Sequence, residues 1–144
     1  MATYDKTGAG GTTGHPSNGR TPYLVENTFD ATGQSVAAGQ SVGMIDIPAE
    51  TLVINAGLEI LTASTSSVTY ILGDGSDDNR YMTATAADAT GHKATVAAVT
   101  NVGHIYASAD QLDILCAGAT DSAGKIRVWA VMCDISGVDE TDHN

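Results

Sequence analysis

The sequence is poor in aromatic residues. Its 144 residues include five tyrosines, one phenylalanine and one tryptophan, although the hydrophobic share is 42%. The interior must therefore be built from valine, isoleucine, leucine and alanine, which bury less area per side chain than aromatic rings do. A single domain of this length buries roughly two-thirds of the surface that its unfolded chain exposes. We therefore expect the chain to bury further apolar surface against copies of itself.

Positive charge is also scarce. Six lysine and arginine residues stand against seventeen aspartate and glutamate residues, which gives a formal net charge of -11. A chain with this excess repels phosphate backbones and anionic lipid headgroups. The composition therefore argues against nucleic acid and membranes as partners, and a solvated surface is the ordinary explanation of the acidic residues.

Long apolar runs are missing. No stretch approaches the roughly 20 apolar residues of a membrane-spanning helix. The first residues, Met1–Lys6, lack the apolar region of a signal peptide. We expect a soluble protein that is not secreted by that route.

Only two cysteines are present, Cys116 and Cys133, and both lie inside apolar runs and not in a CxxC motif. They are therefore predicted to be buried thiols. If the last two strands paired symmetrically across segment 118–124, Cys116 would face Trp129. Cys133 would then face Leu112, so the two thiols would not be cross-strand partners. A disulfide between them is not expected.

Three regions differ in composition. Residues 1–21 are rich in glycine, threonine and serine and have almost nothing to bury, which predicts an extended N-terminal arm. Residues 22–137 break into short apolar runs separated by polar residues and glycine, the spacing of an all-β sandwich or barrel. Residues 138–144 form an acidic tail. Because the arm cannot bury itself, we expect it to lie across a neighbouring subunit or the surface to which the protein binds.

Alternation of apolar and polar residues predicts the strands. In the clearest case, Leu52–Ile60, every second residue is apolar, and Asn55 and Gly57 would fit a helix poorly. Residues 84–103 show no clear period and are predicted to be a loop with one weak strand at Ala94–Ala98. No helix of consequence is predicted. Further strands are predicted at Tyr23–Phe29, Val42–Ile47, Val68–Leu72, Arg80–Thr83, His104–Ala107, Gln111–Ala117 and Lys125–Ile135.

Two polar segments are predicted to be hairpin loops. Segment 63–67 joins Leu52–Ile60 to Val68–Leu72, and segment 118–124 joins the last two strands. Direct antiparallel pairing across each loop is the simplest arrangement.

An acidic turn follows the Val68–Leu72 strand. Oxygen-rich turns of this kind can bind Ca²⁺, but this one lacks the glutamate that an EF-hand loop has at its twelfth position. The alternative is a structural turn whose side chains accept hydrogen bonds from nearby amides, while Gly73 and Gly75 adopt unusual dihedral angles. We take the structural alternative and predict no metal site. The polar residues concerned are Asp74, Asp77, Asp78 and Asn79.

Patterns typical of catalysis are also lacking. Acidic residues such as Glu59 and Asp113 occupy the polar phase of predicted strands, where solvation explains them better than a glycosidase carboxylate pair does. No serine lies in a G-x-S-x-G turn, and the glycine-rich segments 8–11 and 73–75 precede no predicted helix. We therefore predict no catalytic, cofactor-binding or metal-binding residues, and no enzymatic activity. The histidines are scattered, without the spacing of a metal site: His15, His92, His104 and His143.

Several motifs resemble a known group of proteins. Residues 45–63 read IDIPAETLVINAGLEILTA, and they are followed by GDGSD at 73–77 and by Arg-Tyr at 80–81. In small virion proteins of tailed phages, an "IPA-T-L-V" strand leads to a "GDG-D" turn, and the closing strand resembles Lys125–Val131. The sequence is therefore similar to the decoration, or cement, proteins of tailed-bacteriophage capsids.

That resemblance implies both a fold and a role. The fold would be a jelly-roll-like antiparallel β-sandwich. The role would be to decorate and stabilise the exterior of a capsid by bridging neighbouring major capsid proteins, as a homotrimer at or near local threefold axes. Such a role needs no catalytic residue, and the resemblance transfers no individual functional residue.

Two other classes of function suit a β-sandwich. One is a receptor- or carbohydrate-binding sandwich of a phage fibre or tail. Sugar sites usually present an exposed aromatic platform, whereas Trp129 lies in a predicted central strand, which argues against this class. The other is a glycan hydrolase, which requires two converging carboxylates with separated pKa values.

Overall fold

A computed structural model of the chain describes residues 20–93 and 103–136. The predicted strand at Ala94–Ala98, the acidic tail at 138–144 and nearly all of the arm at 1–21 lie outside these residues. The described chain is all-β. It contains no helix that is long and apolar enough to cross a membrane.

Seven of the described strands follow the predicted apolar runs closely. Strand β5 overlaps the predicted strand Arg80–Thr83 only at residues 82–83 and continues into the segment predicted to be a loop, and β6 is not predicted. Strand β6 lies in the Ala- and Thr-rich segment, where no periodicity marks it. The strands are β1 (Tyr23–Asp30), β2 (Ser41–Ile47), β3 (Thr51–Thr62), β4 (Thr69–Asp74), β5 (Met82–Ala86), β6 (Gly91–Lys93), β7 (His104–Tyr106), β8 (Asp110–Ala117) and β9 (Lys125–Asp134).

These strands form two antiparallel sheets that pack face to face. One has the order β1-β9-β3-β6, with β7 also pairing with β3, and the other has the order β2-β8-β4-β5. We call them the β9 sheet and the β8 sheet. The chain passes repeatedly from one sheet to the other in the manner of a jelly roll. The predicted jelly-roll-like antiparallel sandwich is confirmed.

The core lies between the sheets and takes alternate residues of each strand. In β9 the inward residues are Ile126, Val128, Ala130 and Met132, all 0–1% exposed. The few aromatic side chains in the core are tyrosines, namely Tyr70, Tyr81 and Tyr106. The core is therefore mostly aliphatic, as the composition predicts.

Both predicted hairpins are wrong. Strand β3 pairs with β9 and strand β4 pairs with β8, so segment 63–68 crosses between the sheets. Segment 118–124 crosses in the same way from β8 to β9. Alternation shows which residues face the core, but it does not specify the neighbouring strand. Packed sheets lie about 10 Å apart, a distance that segments of this length can span.

The cysteines are buried and free, as predicted. The predicted partners are wrong, because Cys116 lies opposite Tyr70 and Cys133 lies opposite Leu52. The two thiols belong to different sheets, which is the actual reason that they do not pair across strands. Burial raises the pKa of the Cys116 thiol, which keeps it protonated and unreactive.

A buried carboxylate joins the two crossing segments at one end of the sandwich. Asp121, in segment 118–124, is 0% exposed. It accepts hydrogen bonds from the Tyr70 hydroxyl (2.6 Å), from the Ser64 hydroxyl (2.7 Å) and from two amides of its own loop. Burial alone would raise the pKa of Asp121, but these hydrogen bonds lower it. Because Ser64 lies in the other crossing segment, Asp121 holds both crossings together.

Candidate functional site

The acidic turn after β4 is organised around Asp74, whose side chain is fully buried. Its Oδ1 accepts hydrogen bonds from the amides of Ser76 (3.0 Å) and Asp77 (2.8 Å) and from the Ser76 hydroxyl (2.9 Å). Its Oδ2 is ion-paired with Arg80 and accepts a hydrogen bond from the Tyr106 hydroxyl (2.6 Å). Both oxygens of this carboxylate are therefore engaged by donors of the protein itself.

This turn also links the two sheets. Tyr106 belongs to β7 of the β9 sheet, and its hydroxyl lies 2.8 Å from that of Tyr81. Burial alone would raise the pKa of Asp74, but hydrogen bonds from Tyr106, Arg80 and Ser76 lower it to about 2. Burial raises the pKa of Tyr81 to about 12. Within 20–93 and 103–136 no group of three or more His, Cys, Asp or Glu side chains could hold a metal ion.

The predicted reason for the turn glycines is wrong. Neither Gly73 nor Gly75 has a positive φ. A Cβ atom at Gly73 would instead overlap the backbone of Asp77 and Asp78. Glycine is required at position 73 because the backbone of Asp77 and Asp78 occupies the space that a side chain would fill.

The two strand carboxylates considered for a glycosidase lie on different sheets. Glu59, on β3, points outwards and is ion-paired with Arg127 of β9. Asp113, on β8, lies on the outer face of the other sheet, where burial and the charges of Asp110 and Asp74 raise its pKa. The pair does not converge on a common cleft.

The outer face of the β8 sheet carries acidic side chains beside glycines, together with the apolar pair Ile71 and Leu115. Asp113 lies between Gly43 of β2 and Gly73 of β4. Asp46 accepts a hydrogen bond from the Gln111 side chain (2.9 Å). The strand residues of this outer face include no lysine or arginine, so its negative charge is not neutralised.

The outer face of the β9 sheet is divided into a charged half and an apolar half. In the charged half, Arg127 lies between Glu26 and Glu59, and Lys125 lies 3.7 Å from Asp30. The hydrogen bond and charge of Glu59 raise the pKa of Arg127. Acidic and basic side chains therefore nearly balance in this half.

The mainly apolar half extends across four strands, and it also contains the exposed Asn55 of β3, which lies opposite Val131. Leu24 of β1 lies opposite Val131 of β9. Leu52 of β3 lies opposite Cys133 of β9 on one side and Ile105 of β7 on the other. Leu24 is 62% exposed and Ile105 is 58% exposed, whereas the other three apolar side chains are largely covered. We call these five apolar residues the apolar band.

Trp129 lies at the boundary between the two halves. Its ring crosses over Gly57 of β3, where a Cβ atom would come within 2.6 Å of ring atom Cζ2. The ring stacks on His92, with centroids 5.6 Å apart and an interplanar angle of 16°. Trp129 lies in a central strand, as predicted. The argument that this position disfavours a sugar-binding aromatic platform is wrong, because the indole lies on the outer face of the sheet and not in the core.

The apolar band is not predicted from the sequence, where no functional residue is assigned. A signal for part of it exists in β9, whose outward residues change along the strand from Lys125 and Arg127 to Trp129 and Val131. The contribution of Leu24 follows only from its register against Val131. That register cannot be read from alternation alone.

Comparison with known proteins gives no relative by sequence. No protein-family model matches the chain, and no curated protein matches it significantly. The fold, in contrast, is similar to chains of bacteriophage capsids.

Chains of three solved capsids are examples. For the capsid asymmetric unit of cyanophage Pam1, the TM-score is 0.68 at 18% identity, covering 92% of this chain and 99% of that one. For a chain of the Ralstonia phage GP4 capsid, the TM-score is 0.64 at 13% identity, covering 81% of this chain and 86% of that one. For a chain of the acid-stable capsid of Helicobacter pylori bacteriophage KHP30, the TM-score is 0.55 at 13% identity, covering 78% of this chain and 86% of that one. The chain thus has a fold that is found in bacteriophage capsids.

Proposed function

We propose that the chain is a structural virion protein, which decorates the exterior of a bacteriophage capsid and stabilises it by bridging neighbouring major capsid proteins as a homotrimer. The observation that carries this proposal is the likeness to a Pam1 capsid chain, which extends over nearly the full length of both chains. The Pam1 chain is therefore of similar size. A subunit with one small core suits an accessory role on a shell better than the construction of the shell.

The distribution of charge supports an exterior position. The acidic face of the β8 sheet suits exposure to solvent, because an excess of like charge keeps particles apart. The exposed Leu24 and Ile105 of the apolar band, together with the outward Trp129, suit contact with other subunits, because exposed apolar and aromatic side chains on one face can mark an interaction surface. In this proposal the β9 sheet faces protein and the β8 sheet faces solvent.

The proposed role requires no catalysis. The two buried carboxylates of the described chain, Asp74 and Asp121, are saturated by hydrogen bonds and have lowered pKa values. A general acid needs a raised pKa and an accessible proton, so both carboxylates suit a structural role instead.

A carbohydrate-binding role is the second candidate, and the outward position of Trp129 favours it. The indole, His92 and the nearby Glu59 and Arg127 could present a flat ring with polar neighbours to a sugar. Binding of soluble glycans to the purified protein, abolished by Trp129→Ala, would support this role. We expect no saturable glycan binding.

We propose that residues 1–21 act as an attachment arm. Deleting residues 1–19 retains Arg20, whose guanidinium donates hydrogen bonds to the carbonyls of Asp134 (3.2 Å) and Ser136 (2.9 Å). We expect unchanged circular dichroism and nearly unchanged melting. Capsid binding should weaken tenfold or more, about 1.4 kcal/mol. Equal binding by the truncated and intact proteins would contradict a role of the arm.

The proposed stabilisation can be tested in the phage that encodes the chain. Particles that lack the protein should still assemble, but their capsids should rupture at a lower temperature than complete particles. Adding the purified protein back should restore the rupture temperature. If particles without the protein were as heat-resistant as complete ones, the stabilising role would be wrong.

A further inference from the structure

We propose that a groove at the end of the β8 sheet is a second capsid-binding site, which receives a lysine or arginine side chain of a major capsid protein. The inference rests on the proposed function, because a subunit that bridges two neighbours needs two contact surfaces. The β9 sheet supplies one and the groove supplies the other, while the rest of the outer face of the β8 sheet stays in solvent. The groove, which we call the Asp46–Asp110 groove, is lined by Asp46, Ile47, Pro48, Ala109, Asp110 and Gln111.

The register of β2 and β8 builds this groove. Asp46 lies opposite Gln111, and Ile47 lies opposite Asp110, at the point where β2 ends and β8 begins. Successive side chains of a strand point to opposite faces, so Asp46 and Asp110 stand on two sides of the groove. The open space between them and the adjoining turns has a volume of about 510 Å³.

The lining places carboxylates without counter-charges next to apolar surface. Asp46 accepts a hydrogen bond from the Gln111 side chain (2.9 Å), and Asp110 accepts one from the Gln111 amide (2.8 Å). Neither carboxylate takes part in an ion pair with another described residue. The remaining three lining residues are apolar. The groove therefore holds negative charge that its own protein does not neutralise.

These features suit an organic cation better than a metal ion. Calcium takes about six to eight oxygen ligands, whereas the groove offers two carboxylates and one side-chain amide. Lysine and arginine carry their charge at the end of a hydrocarbon stem. That stem can lie on the apolar lining while the charged group donates hydrogen bonds to Asp46 and Asp110.

A second copy of the chain is a poor source of this cation. The chain has six lysine and arginine residues against seventeen acidic residues. Arg80, Lys125 and Arg127 are already ion-paired within their own fold. In the proposed function the neighbouring protein is a major capsid protein. A basic segment of that protein is the occupant that charge complementarity indicates.

Charge reversal at one wall of the groove tests the assignment. Asp46→Lys raises the formal net charge of -11 by two and places an ammonium group in the groove, where it repels the incoming cation. Asp88→Lys makes the same change in net charge in the segment that follows β5, outside the groove, and is the matched control. Both aspartates are exposed, so both variants should fold, which circular dichroism and melting establish.

Binding to undecorated capsids of the phage that encodes the chain should weaken about tenfold or more for Asp46→Lys and at most about twofold for Asp88→Lys. Added salt should weaken the binding of the intact protein more steeply than that of Asp46→Lys, because salt screens the attraction that the variant lacks. Equal binding by the two variants would overturn the assignment, since any loss would then reflect net charge alone.

The same assay separates this inference from the proposed function. If the intact protein binds capsids and the two variants bind equally, the groove is not a contact and the decorating role stands. If the intact protein binds no capsids, the decorating role fails and the groove fails with it. Imaging of saturated particles gives an independent result: a basic side chain of the shell should lie between Asp46 and Asp110, and a groove open to solvent would contradict the assignment.

Discussion

Replacing Asp74 by asparagine should lower the free energy of unfolding by about 3 kcal/mol, with a fall in melting temperature of roughly 10 °C. The change leaves the Arg80 guanidinium, whose side chain is only 16% exposed, without its counter-charge. The substitution also replaces the carboxylate oxygen that accepts a hydrogen bond from the Tyr106 hydroxyl (2.6 Å). Denaturant titration of the two proteins measures the difference.

Asp113→Asn is the matched control for this prediction. Asp113 lies on the same sheet, but burial and repulsion by Asp110 and Asp74 raise its pKa, so its charge is not favoured where it lies. Its replacement should leave stability unchanged or slightly increased. An Asp74→Asn protein that unfolds within about 0.5 kcal/mol of the intact one would show that the buried ion pair contributes little.

The lowered pKa of Asp74 predicts that the free energy of unfolding depends on pH. Folding lowers the pKa of Asp74 from 3.8 to about 2, so its contribution is fully present above the unfolded value and is lost as pH falls towards 2. The shift corresponds to roughly 2 kcal/mol. The stability difference between the intact protein and Asp74→Asn should therefore narrow by about this amount between pH 5 and pH 2. A difference independent of pH would contradict this account.

Replacing Asp121 by alanine should cost about 4 kcal/mol, the largest effect that we expect from a single substitution. Four donors lose their acceptor at once: the hydroxyls of Tyr70 and Ser64 and two loop amides. Tyr70 is 0% exposed, so water cannot readily replace the carboxylate there. Both crossing segments should loosen, which hydrogen exchange of their amides would show.

A double-mutant cycle with Tyr70→Phe separates this network from a general loss of packing. Tyr70→Phe alone should cost about 1 to 2 kcal/mol, because Asp121 loses one of its donors. In the Asp121→Ala protein the same change should cost almost nothing, since the hydroxyl already lacks its acceptor. Additive effects would indicate that the two residues act independently.

The strands, and the alternate residues of each strand that face the core, could be predicted because both depend on the local alternation of apolar and polar residues. The run at Leu52–Ile60 and the inward residues of β9 are examples. Pairing between strands could not be predicted in this way, because the same alternation suits a hairpin or a crossing between sheets. The resemblance to phage decoration proteins, and not the spacing of residues, gave the jelly-roll arrangement.

The structural roles of the buried acids depend on contacts between residues far apart in the chain. The sequence predicts that Asp74 accepts hydrogen bonds from amides of its own turn, but it indicates no distant partner for Asp74 or for Asp121, which lies in a polar loop segment. The partner of Asp74 on the other sheet, Tyr106, is 32 residues away, and Ser64 is 57 residues from Asp121. The outward position of Trp129 likewise requires the register with Gly57. These features follow from the fold and are not visible in any short motif.

Co-sedimentation with undecorated capsids of the phage that encodes the chain is the most direct test of the proposed function. The purified protein should bind saturably, in a fixed ratio to the major capsid protein, and imaging of the saturated particles should show it on the outer surface with the β9 sheet towards neighbouring subunits. Absence of binding, or density on the inside of the shell or on the tail alone, would contradict the decorating role.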